Sequence, residues 1–194
     1  MSYSFIEKTP IPDLLVINPR VWHDERGYFY ESYNQKTFAE NGLGHYQFVQ
    51  DNQARSTYGV LRGLHYQLAP YGQAKLVRVT EGEILDVVVD LRKGSPTYGQ
   101  HYGVVLSAAN KKQLMVPRGF AHGYVVLSPT CEFLYKCDNF YNKAAENGLA
   151  FNDVALNIDW QVPTKNLLIS AKDQEQPTLK ELEAAQILNF NYSA

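Results

Sequence analysis

The run 84-ILDVVVDL-91 limits what this chain can fold into more than any other stretch. Leu85, Val87, Val89 and Leu91 fall on one face of an extended segment, and Ile84, Asp86, Val88 and Asp90 on the other. Alternation at period two is the strand signature, because successive side chains of a pleated backbone point to opposite faces. The same pattern recurs in 75-KLVRV-79, 102-YGVVLS-107, 120-FAHGYVVL-127 and 132-EFLYKCDNFY-141. Turn-forming clusters lie between these runs: Glu81-Gly82-Glu83, Lys93-Gly94-Ser95-Pro96, Ala109-Asn110-Lys111 and Ser128-Pro129-Thr130. Short strands joined by turns, with no helical pattern between them, predict an antiparallel sandwich or barrel rather than βαβ units. The 14 tyrosines and 9 phenylalanines agree, since aromatic side chains favour the pleated surface. Helix signals are confined to 34-NQKTFAENG-42, with Asn34 as N-cap and Gly42 just past the end, and to 178-TLKELEAAQIL-188. The second opens with Thr178 and Glu181 in capping-box spacing.

A chain of 194 residues with 45% hydrophobic content can bury one sizeable core, so a single domain over residues 1–194 is expected. The net charge is −2 and no like-charge block exceeds Lys111-Lys112, which leaves nothing to follow a phosphate backbone; nucleic acid is not an expected partner. The N-terminal MSYSFIEKTP lacks an apolar core, and nowhere do about eighteen apolar residues run together. A cytoplasmic protein with no membrane segment is therefore expected. Cys131 and Cys137 lie on one expected strand. That span is about 20 Å extended, whereas a disulfide needs Cα atoms within roughly 7 Å. They are read as packing residues, in keeping with a reducing compartment.

The candidate chemistry centres on 62-RGLHYQ-67. His65 has no second histidine at i+2, and no pair among His23, His45, His65, His101 and His122 has close metal-ligand spacing, so no metal site is expected. Alternation puts His122 on one face with Phe120, Tyr124 and Val126, and Tyr135 on one face with Phe133 and Cys137. Each is open to a core reading and a catalytic one. Lys75 shares parity with Val77 and Val79; a lysine on an apolar face points to a cavity or bound anion, or to a side chain that snorkels to water. These patterns alone specify no reaction.

At these same residues the sequence resembles the dTDP-4-dehydrorhamnose 3,5-epimerases. The resemblance runs through 24-DERGYFYESYN-34, 48-FVQDNQARS-56, 59-GVLRGLHYQ-67, 75-KLVRV-79, 83-EILDVVVDLRKGSPTYGQ-100, 113-QLMVPRGFAHGYVVLS-128, 132-EFLYK-136 and 170-SAKD-173. It implies an all-β, cupin-like jelly-roll barrel with a few short peripheral helices. It also implies proton transfer alpha to the ketone of a dTDP-4-keto-6-deoxyhexose, with no cofactor. By resemblance His65 is the base, Tyr135 the acid, Asp173 the carboxylate that holds the His65 tautomer, and Lys75 the group that stabilises the oxyanion on O4. Arg26, Glu31, Gln50, Asp51, Asn52, Arg62, Lys75, His122, Glu146 and Lys172 fall on positions implied to hold the nucleotide sugar. The family implies a homodimer, in which Arg26 could complete a neighbour's site. Ala74 stands before the lysine where the family often has glycine.

Arg62 and His65 have opposite parity, so a regular strand would send them to opposite faces. A bulge at Gly63 would bring both inward; otherwise they serve different pockets or subunits. Two rivals to the 3,5-epimerase stand: a relative that inverts only C3 or only C5, and a sugar-nucleotide-binding barrel without turnover.

Overall fold

The computed structural model describes residues 5–192; Met1–Ser4, part of the N-terminal stretch read for a leader, lie outside the described residues. Along the chain come β1 (Phe5–Lys8), β2 (Leu15–Asn18), a small hairpin of β3 (Trp22–Asp24) and β4 (Gly27–Phe29), and helix α1 (Gln35–Glu40). Then follow β5 (Gln50–Thr57), β6 (Val60–Gln67), β7 (Lys75–Glu81), β8 (Glu83–Asp90), β9 (His101–Ser107), β10 (Gln113–Val116), β11 (Phe120–Val126) and β12 (Thr130–Cys137). The C-terminal part holds β13 (Glu146–Gly148), β14 (Leu168–Ile169), α2 (Ala171–Gln174) and α3 (Leu179–Ala184).

Two sheets form. The first runs β1-β2-β10-β7-β12-β5, and the second β13-β6-β11-β8-β9, with β14 added in parallel to β6. Consecutive strands such as β7 and β8 lie in different sheets, so the chain passes back and forth between layers as in a jelly roll. Val77, Val79 and Phe133 of the first sheet meet Ile84, Val88, Phe120, Tyr124 and Val126 of the second in the core between them.

The back of the second sheet is covered as well. Leu85, Val87, Val89 and Leu91 pack there against Leu149, Leu156, Trp160 and Leu182 from the C-terminal part. The alternation in 84-ILDVVVDL-91 thus separates two cores rather than a core from solvent, which is why both of its faces carry apolar residues. Each aliphatic side chain buried this way contributes about 1.5–3 kcal/mol. The first sheet is backed by a smaller cluster in which Phe38 of α1 packs with Leu76 and Met115.

Local signals placed the helix starts. Asn34 caps α1 by accepting from the Thr37 N–H, and Thr178 and Glu181 form a complete capping box at α3. α3 ends at Ala184, short of Leu188, with Gln186 at φ +54° turning the chain back. Leu188 instead packs into the rear core. The strand expected over 132–141 runs over Thr130–Cys137, and Cys131 and Cys137 are free, buried thiols along it.

The parity conflict at Arg62 and His65 is resolved by a bulge. His65 pairs with His122 and Arg62 with Tyr124, so Gly63 and Leu64 stand opposite the single residue Gly123. The extra residue turns an odd spacing into an even one, and both side chains face the interior cavity. Gly63 has φ +125°, and a Cβ there would sit 2.6 Å from the Gly123 Cα. No side chain fits that approach. Gly63→Ala should therefore cost at least about 2 kcal/mol of unfolding free energy in urea denaturation; unchanged stability would contradict the bulge.

Candidate active site

The barrel interior holds a cavity of about 440 Å³ lined by Arg62, His65, Lys75, His122, Tyr124, Phe133, Tyr135, Lys172 and Asp173, among others. A second lobe of about 290 Å³ continues from His65, Lys75 and Tyr135 to Gln50, Asn52, Tyr141 and Glu146. β6 and β11 supply His65, Arg62 and His122 from the second sheet; β7 and β12 supply Lys75 and Tyr135 from the first. Whatever lies in this cavity has His65 on one wall and Tyr135 on the other.

His65 Nε2 lies 2.6 Å from Asp173 Oδ1. With the carboxylate accepting from Nε2–H, the Nδ1 lone pair is the one left for proton abstraction. Asp173 is held from two sides: its own N–H donates to the Ser170 side chain that caps α2, and its Oδ2 accepts the Gly63 N–H at 3.4 Å. Burial would raise the Asp173 carboxyl, but the bonds from His65, Gly63 and Ser170 outweigh it and hold the pKa below the usual carboxylate value. It therefore stays ionised beside the imidazole.

Tyr135 is the complementary group. Burial pushes its phenol up to about 12, so it is a protonated donor at neutral pH. The Lys75 ammonium lies 5.8 Å from the centroid of the Tyr135 ring, with no hydrogen-bond partner among the described residues. Burial pulls its pKa down, against the attraction of Cys137, Asp86 and Glu146. An unpaired ammonium lining the cavity suits a negative charge that develops during reaction. His122 takes no part in that pair; its Nε2 contacts both oxygens of buried Asp86 at 2.9 and 3.0 Å.

At the mouth, Lys172 Nζ meets Glu146 Oε2 at 2.6 Å, and the Tyr141 hydroxyl donates to the same oxygen at 2.9 Å. Arg62 gives its Nε to Ser56 Oγ, which leaves its terminal nitrogens for the cavity. Of the residues marked out in the sequence, His65, Tyr135, Asp173, Lys75, Arg62, His122, Lys172, Gln50, Asn52 and Glu146 come together here. Three do not. Arg26 sits at the exposed tip of the β3–β4 hairpin, paired with Asp24. Glu31 accepts from Asn34 near α1, and Asp51 pairs with Lys136 on the outer face of the first sheet. Sequence reasoning gave Tyr141 no role: it placed the residue at the end of the strand expected over 132–141, whereas β12 ends at Cys137 and Tyr141 lies in the loop beyond it. It also passed over Ser170, whose spacing to Asp173 is a capping signal, and Asp86, although its parity among valines was visible.

A jelly-roll barrel with a carboxylate-held imidazole facing a protonated tyrosine across a cation-lined cavity defines a class of general acid–base enzyme. The family model for dTDP-4-dehydrorhamnose 3,5-epimerase matches residues 8–181, and the chain belongs to that family. It is 57% identical over 166 residues to the dTDP-4-dehydrorhamnose 3,5-epimerase of Shigella flexneri, covering 86% of this chain and 91% of that one. The structure of a dTDP-6-deoxy-D-glucose-3,5-epimerase from Legionella pneumophila, in complex with dTDP-4-keto-L-rhamnose, superposes with a TM-score of 0.91 at 46% identity, covering 98% and 99% of the two chains. A 3′-monoepimerase from Streptomyces bikiniensis, in complex with dTDP-quinovose, superposes at 0.88 with 31% identity, covering 95% and 92%.

The Glu146–Lys172 pair lies at a solvated mouth, where such pairs contribute little to folding. Glu146→Gln should change the unfolding free energy by less than about 1 kcal/mol in urea titration. A larger loss would make the pair a structural brace.

Proposed function

We propose that this protein inverts C3 and C5 of dTDP-4-dehydro-6-deoxy-D-glucose to give dTDP-4-dehydro-L-rhamnose. The observation that carries the reading is the His65–Asp173 contact of 2.6 Å, set across one cavity from Tyr135. The C4 ketone acidifies the neighbouring C–H bonds. His65 Nδ1 takes the proton from one face of the sugar ring while the electron pair moves onto O4, and the Lys75 ammonium stabilises the enolate oxygen. Tyr135 then delivers its proton to the same carbon from the opposite face as the enolate collapses to the ketone. Solvent restores the phenol and removes the proton from His65. Repetition at the second carbon completes the double inversion. Arg62 and Lys172 supply fixed positive charge for the pyrophosphate, with Gln50, Asn52, His122 and Glu146 as further contacts.

The similarity to a 3′-monoepimerase keeps inversion at one carbon as the second reading. Incubation with the 4-keto sugar nucleotide in D₂O separates the two. Deuterium at both C3 and C5 is the expected result, label at one carbon supports the monoepimerase, and no label would exclude both. His65→Ala should abolish labelling. In Tyr135→Phe, His65 can still exchange its proton with solvent and return it to the same face. That variant should incorporate label with retained configuration, read by NMR of the recovered sugar.

We further infer a homodimer in which Arg26 and Glu31 reach the partner's cavity. What supports this is the β3–β4 hairpin, which carries Arg26 away from its own cavity and leaves Phe29 66% exposed and Tyr28 55% exposed. Mixing inactive Arg26→Ala with inactive His65→Ala protein should restore about a quarter of the sites by random re-pairing of equal amounts, measured by turnover. No recovery after subunit exchange would confine Arg26 to its own chain.

A further inference from the structure

Among the described residues Asp86 and Asp90 are both fully buried carboxylates outside the mechanism above, and of the two only Asp86 contacts a residue of the cavity. It stands on β8 with Ile84 and Val88 on the face turned into the barrel, opposite Tyr124 of β11 and Val104 of β9. Its relative exposure is 0%. Both of its oxygens are directed at a single atom, His122 Nε2, at 2.9 and 3.0 Å. A carboxylate has about four lone-pair positions. Buried Asp90 on the same strand, by comparison, receives bonds from Arg92, Ser95 and Thr97. A bare carboxylate in a closed interior is costly unless a cation neutralises it. Lys75 lines the same cavity as His122, the residue Asp86 contacts, and its charge and that of Asp86 act on each other; it has no hydrogen-bonding partner of its own among the described residues.

We propose that Asp86 is a positioning residue for the reaction: it holds His122 through Nε2, so that Nδ1 serves the cavity, and it supplies the buried counter-charge for Lys75. This assignment rests on the epimerase reading. It explains why the ammonium can stay charged although burial removes water from it, which its role at the enolate oxygen requires. The other groups facing Lys75 are Cys137 and Tyr135 of β12 and Glu146 of β13. Cys137 is a buried thiol pushed up to about 11 by burial and therefore neutral. Glu146 is committed to Lys172 at the mouth. The Tyr124 phenol, near Asp86 from β11, is likewise raised by burial and neutral. Asp86 is thus the carboxylate inside the barrel that is free to balance Lys75. Attraction between the two lifts Lys75 and lowers Asp86, each against its own burial.

The sign of the effect follows. Without the carboxylate, Lys75 gives up its proton at lower pH, so the alkaline limb of kcat/KM must move down. Asp86→Asn should shift that limb by about one pH unit or more and reduce kcat at pH 8 by about 10- to 100-fold, with KM changed less than threefold. A merely structural carboxylate would leave the limb in place, and an unmoved limb in a folded variant overturns the proposal. A second measurement uses the unaltered protein and needs no turnover. Nitrogen-15 NMR of the His122 ring should find Nε2 protonated between pH 6 and 8. A bare Nε2 with the proton on Nδ1 overturns the proposal even if Asp86→Asn fails to fold. Because the NMR result is independent of catalysis, a wild-type protein that exchanged no deuterium would remove the epimerase reading while these ring spectra still reported on the Asp86 contact.

Discussion

The close passage of two backbones at Gly63 and Gly123 is the constraint on which the site depends. β6 and β11 approach there more tightly than any side chain permits, and the extra residue on β6 changes the face of everything that follows. Arg62 and His65 both turn inward because of it. The same glycine contributes its N–H to Asp173, so the device that aims the imidazole also helps hold the carboxylate that orients it. One local distortion therefore couples strand register to acid–base geometry.

The electrostatics of the cavity follow a simple division. Each imidazole is tied by Nε2 to a carboxylate, His65 to Asp173 and His122 to Asp86. The two carboxylates differ in their surroundings. Asp173 gathers several donors and is held ionised, whereas burial raises Asp86, opposed by His122 and Lys75. Cations are left with unspent donors toward the cavity, and the tyrosine is kept protonated by burial. The interior is arranged to receive an anion at one moment and a proton demand at another, which is what enolate chemistry asks of it.

Much of this was legible in the sequence because it follows from short-range rules. Alternation in 84-ILDVVVDL-91 identified a strand and the partition of its side chains. Asn34 and the Thr178–Glu181 box marked helix starts, since caps are made within one turn of chain. The parity conflict at 62-RGLHYQ-67 was visible in the sequence, with a bulge at Gly63 as one answer beside separate pockets or subunits; the pairing of β6 with β11 selects the bulge. Strands β1 to β5, β10, β13 and β14 were not named as such: exposed and polar positions in β3, β4 and β5 blur the alternation, and β1, β2, β10, β13 and β14 run four residues or fewer. Helix α2, with four residues, is too short for periodicity to register.

By itself the sequence determined the strand-rich class, the alternating faces and the candidate acid, base and cation, together with the family resemblance that ranked them. Only the tertiary structure decided which of them meet. Asp173 lies 108 positions from His65, and Asp86 lies 36 positions from His122; no local pattern encodes such contacts, because they arise when separate strands and the C-terminal segment pack on one barrel. The same packing put Arg26, Glu31 and Asp51 outside this chain's cavity. Side-chain direction is a property of one strand, but convergence is a property of two sheets brought face to face.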